Sequence, residues 1–65
     1  MKTDTDTTAV NRIRALLLDL AHREDELAAQ ELAATPYWAS APATVAGHRD
    51  AAEALRAAAD LLLAG

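Results

Sequence analysis

The chain has no cysteine and no phenylalanine, and only two glycines, two prolines, one tryptophan and one tyrosine among 65 residues. Each scarcity excludes something. Without cysteine there is no disulfide staple and no thiolate metal site. A chain this short buries only about 60% of its unfolded surface, so an unstapled one leans on a metal or a partner. Strand formers are nearly missing too: Val10, Ile13 and Val45 are the only β-branched aliphatic residues. The apolar half of the composition is mostly alanine and leucine, the strongest helix formers. Composition therefore predicts an all-α domain.

Positive charge is also scarce. Six Lys and Arg face ten Asp and Glu, for a net charge of −4. A phosphate backbone needs a basic face, and an anionic membrane surface needs basic clusters. Neither nucleic acid nor membrane is an expected partner. The longest apolar runs, "ALLL" and "LLLA", fall far short of a bilayer span. The opening "MKTDTDTT" is acidic and polar, unlike a signal peptide, and the default expectation is a cytoplasmic protein. After Lys2 every basic residue is Arg, a usage of high-GC bacterial genomes and their phages.

Chemistry-bearing patterns are thin. There is no phosphate loop, no dinucleotide fingerprint and no paired-cysteine motif. The one serine, Ser40, stands where an N-cap belongs, and a triad needs a buried base and an oxyanion hole around its nucleophile. His22 has Asp25 and Glu26 one turn on, but one His with exposed carboxylates is a weak metal set; the spacing predicts a solvated i,i+4 pair. His48 falls near the middle of an apolar face, where a His is a boundary residue bonded to backbone or stacked on the nearby Tyr37 and Trp38; a pH-sensitive interface role is the sharper alternative. No catalytic, cofactor or metal site is expected.

What is present is helical periodicity. Residues 1–6 read as a flexible tail, and from about Thr7 to Ala33 no Gly or Pro interrupts a helix. On a helical wheel Val10, Ile13, Leu16, Leu17, Leu20 and Leu27 fall within roughly 60° of Ile13. Glu24 and Glu31 share that stripe, seven residues apart. A connector over about 34–41, "ATPYWASA", carries start signals at Thr35-Pro36 and before Pro42. The second helix is expected over about 42–64. Its face is Val45, His48, Ala51, Ala52, Leu55, Ala58, Ala59, Leu62 and Leu63, a strip of methyl groups that admits a close neighbour. Gly47 inside it costs about 1 kcal/mol against Ala.

Two helices with a connector near residue 40 predict an antiparallel hairpin over 7–65. Positions whose numbers sum to about 80 then face each other. That register pairs Glu24 with Arg56 and Glu31 with Arg49, two ion pairs expected to set it. Leu18, Leu32 and Leu61 fall off the seam. A two-helix hairpin has one internal seam, so these leucines with Leu62 form an expected contact surface. The simplest closure is a two-fold dimer, a four-helix bundle. Trp38 is expected to fold inward as a plug for an alanine-lined core, leaving Tyr37 nearer the surface to touch a partner; the alternatives display both Tyr37 and Trp38 as an interface anchor for a partner or pack them across a dimer seam.

The Trp-centred turn "WAS" between two helices resembles the small secreted hairpin proteins that carry a Trp-X-Gly turn and pair into four-helix bundles. Ala39 and Ser40 follow Trp38 here, so the family's glycine is missing, and the chain is shorter and lacks that family's C-terminal secretion signal. No functional residue carries over. The function expected is a non-enzymatic interaction module that self-associates and binds a larger protein. The alternative is an accessory protein of a phage or mobile element that inhibits or decorates a larger assembly.

Overall fold

The computed structural model describes residues 3–64, with side chains placed from 7 to 63. Two helices, α1 (Thr3–Ala34) and α2 (Ala43–Ala64), pack against each other. Helical backbone begins at Thr3, so it takes in most of the expected 1–6 tail; Met1 and Lys2 lie outside the described residues. α1 ends where Thr35 donates through Oγ1 to the Glu31 carbonyl at 2.8 Å, and through its N–H to the Leu32 carbonyl at 3.1 Å. Those bonds satisfy carbonyls that the last turn leaves without helical partners. α2 starts just past Pro42, whose carbonyl accepts the Val45 N–H at 3.0 Å.

The seam between the helices is made of small residues. Among the described residues Ala21, Ala28, Ala52, Ala59 and Val45 are the buried apolar ones, and no large side chain is fully buried. Ala21 and Ala28 are seven apart, as are Val45, Ala52 and Ala59, so each set forms one row on its helix. Ala21 with Ala59, and Ala28 with Ala52, both sum to 80, the register read from the connector. Methyl rows let the axes approach near the short end of the usual 8–10 Å.

On α2 the buried row lies within the expected face. His48, Ala51, Leu55, Ala58 and Leu62 flank it half-buried, and Leu63 is exposed. α1 differs from expectation. Its seam follows Ala21 and Ala28, turned about 70° round the helix from Ile13 at 100° per residue. Leu17, Glu24 and Glu31 border it half-buried. Ile13, Leu16 and Leu20 are left 50%, 62% and 49% exposed. The reason is shape. An alanine row on α2 packs closest on another alanine row, and the leucines are displaced to the flank.

Gly47 sits in the second turn of α2 with nothing within 4 Å of where a Cβ would stand, and no described glycine has positive φ. Gly47→Ala is therefore expected to stabilise the fold by about 0.5–1 kcal/mol. The check is a higher denaturant midpoint with an unchanged slope.

Candidate functional site

Three features stand apart from the alanine seam. The first is a polar cluster near the corner. His48 lies between two carboxylates of α1: its Nδ1 is 3.3 and 3.2 Å from the two Glu24 oxygens, and its Nε2 is 3.2 Å from Glu31 Oε2. The Thr44 hydroxyl donates to Glu31 Oε1. All three charged side chains are roughly one-quarter to one-third exposed. A neutral imidazole has one N–H and donates to one of these carboxylates, whereas an imidazolium donates from both nitrogens.

This arrangement differs from the expected one. Among the described residues no ion pair joins Glu24 to Arg56 or Glu31 to Arg49. Arg56 reaches Asp25 instead, one position along, in a half-exposed pair of the kind worth at most about 1 kcal/mol. His48 meets carboxylates rather than backbone or the aromatic rings. The ingredients were visible, with two Glu seven apart on one helix and a His centred on the other face. The α1 rotation brought them together. We expect His48→Ala to cost about 1–2 kcal/mol by leaving both carboxylates without their shared donor. Arg49→Ala, at an exposed position outside these pairs, should stay within about 0.5 kcal/mol. Thermal unfolding of the two variants side by side reads the difference; equal losses would contradict the geometry.

The second feature is the corner. The Ala39 N–H bonds the Pro36 carbonyl at 3.0 Å, a four-residue turn with Tyr37 and Trp38 at its two central positions. Both rings face outward: Tyr37 is 96% and Trp38 76% exposed. The expected inward plug is not formed. A seam closed by Ala28, Ala52 and Val45 has no hole for an indole. The rings contact each other edge to face, with centroids 5.1 Å apart and planes at 86°.

The third feature is an apolar flank. The contact of His48 with Glu24 and Glu31 fixes which side of α2 neighbours which side of α1. His48, Leu55 and Leu62 are seven apart, and so are Leu17, Glu24 and Glu31, so these rows run alongside each other. Just outside the α1 row lie Ile13, Leu16, Leu20 and Leu27; outside the α2 row lie Ala51 and Ala58. One side of the hairpin is thus continuously apolar toward the end where α2 finishes. Of the leucines expected to form a contact surface, Leu62 borders this side. Leu18, half-buried, and Leu32, exposed, lie toward the Asp25–Arg56 flank, while Leu61 is exposed on the back of α2.

His22 and Glu26 form the solvated i,i+4 pair, 3.7 Å apart. Among the described residues no three His, Asp or Glu side chains are grouped as metal ligands, and no helix is long and apolar enough to cross a membrane. Comparison with protein-family models, with curated proteins and with solved structures finds no match to this chain.

Proposed function

We propose that this protein is a small non-enzymatic interaction module. It self-associates through its apolar flank into a four-helix bundle and offers the aromatic corner to a larger protein partner. The observation that carries the reading is surplus surface. The chain exposes 5011 Å² at 6.9 kDa, whereas a compact monomer of that mass exposes roughly 4,000 Å². The surplus of about 1,000 Å² is close to the ~800 Å² that each partner gives up in a standard interface. The radius of gyration agrees, at 15.9 Å against roughly 11 Å for a compact domain of this length.

Face composition supports the same reading. Ile13, Leu16 and Leu20 with Leu27, Leu55 and Leu62 give a contiguous leucine-rich patch of the kind that marks a contact site. A seam of methyl groups alone gives little apolar burial to offset chain entropy, so a second hairpin would add most of the large side chains the core lacks. The corner favours the accessory-protein reading as a complement. Trp and Tyr are the residues enriched at binding hot spots, and here they stand free of the seam.

Sedimentation equilibrium over a wide concentration range tests the reading, together with thermal melts at each concentration. The expected result is a monomer–dimer equilibrium with a melting temperature that rises with concentration. A stably folded monomer at every concentration would overturn it.

A further inference from the structure

Arg12, Asp19 and Glu26 are seven apart and all exposed. Each immediately precedes a residue of the apolar flank, Ile13, Leu20 or Leu27. They form a charged rim along the outer edge of that flank, with Arg23, also exposed, on the same arc between Leu20 and Leu27. Resting on the self-association proposed above, this rim gives the direction in which the second hairpin lies.

Two copies sharing this flank have two ways to align: corners together, with the α1 helices parallel, or corners apart, with them antiparallel. With corners together the two-fold axis runs along the bundle, so α1 of one copy lies on α2 of the other and the rim meets no rim. In an antiparallel pair the rim faces itself reversed. Arg12 meets Glu26 twice with opposite signs, and only Asp19 meets its own copy, at the axis.

Helix lengths point the same way. Ala64, the end of α2, faces about residue 16 in the register of 80, so α1 overhangs α2 by residues 3–15, roughly 20 Å at 1.5 Å per residue. Corners together would set the two overhangs side by side, with no α2 against either. Corners apart about residue 19 would lay residues 3–15 of each copy along residues 35–23 of the other, where α2 is present. Residue 19 is also within one position of the midpoint of α1, Thr3–Ala34, so the two long helices would overlap end to end.

We propose that the occupant of the apolar flank is a second copy of this chain, docked corners apart about a two-fold axis near Asp19, with Arg12 of each copy on Glu26 of the other. The patch is matched to itself in both length and charge.

Charge reversal and distance measurement test this on the full chain. Arg12→Glu and Glu26→Arg, each alone, set like charges face to face twice and should weaken dimerisation about tenfold. An equimolar mixture of the two variants restores both attractive contacts and should recover wild-type affinity as a heterodimer. The chain has no cysteine, so Ala34→Cys takes a single spin label. Corners apart predicts a label separation of about 45 Å from the helical rise. Corners together predicts about 20 Å, the spacing of packed helices plus two label arms. A dimer with the short distance, or one tightened by Glu26→Arg, would overturn the orientation and leave self-association standing. A monomer for wild type at all concentrations, with the flank free for a different protein, would overturn both.

Discussion

Ala52→Leu is expected to lower the melting temperature by on the order of 10 °C at fixed protein concentration. Ala52 is fully buried and faces Ala28, itself 1% exposed, in the middle of the seam. Three added carbons have no void to enter. The helices must separate, which loosens Ala21 against Ala59 and draws Glu24 and Glu31 away from His48. Overpacking of this kind costs about 1–3 kcal/mol, and in a domain of this size each kcal/mol moves the midpoint by about 4–8 °C. Ala54→Leu is the control. Ala54 is exposed on the back of the same helix and should change stability by no more than about 0.5 kcal/mol. A circular-dichroism melt in which Ala52→Leu matches or exceeds wild type would show that the seam is not set by small residues.

Leu20→Glu is expected to abolish the dimer while sparing the hairpin. Leu20 is half-exposed in the isolated hairpin, so a charge there is hydrated in the monomer and stripped of water in the bundle. A two-fold interface loses the residue twice. At about 2 kcal/mol for each copy of a central anchor, the dimer would weaken several hundredfold. Leu32→Glu, on the Asp25–Arg56 side of α1, should dimerise like wild type. Sedimentation velocity separates the two outcomes. If Leu32→Glu dissociates the dimer and Leu20→Glu does not, the contact runs through the leucines that a helical wheel marks as off-seam.

The sequence was most readable where single residues act locally. An uninterrupted Ala- and Leu-rich run gave α1, Pro42 marked the entry to α2, and the methyl strip of α2 gave its buried side. The length of the connector gave the register. The rotation of α1 was harder to read, because a wheel weights leucine above alanine while close packing selects by volume. Once Ala52 and Ala59 are known to be buried, their partners at 28 and 21 follow from the register alone. The ion pairs shifted for the same reason: a turn of about 70° moves Glu24 and Glu31 off the arginine flank and onto His48. For Trp38 the inward expectation presumed an opening between the helices. The four-residue turn instead holds its two central side chains outward, Tyr37 and Trp38 both exposed.

A row of identical methyl groups repeating every seventh residue fixes distance but not position. Sliding α1 past α2 by seven residues would bring Ala28 opposite Ala59 and look much the same to the seam. The Glu24–His48–Glu31 cluster cannot be translated in that way, because α2 has no second histidine. It acts as a locating pin beside a smooth rail, and the hairpin's phase, including where Tyr37 and Trp38 stand relative to the apolar flank, is held by that pin and the short connector.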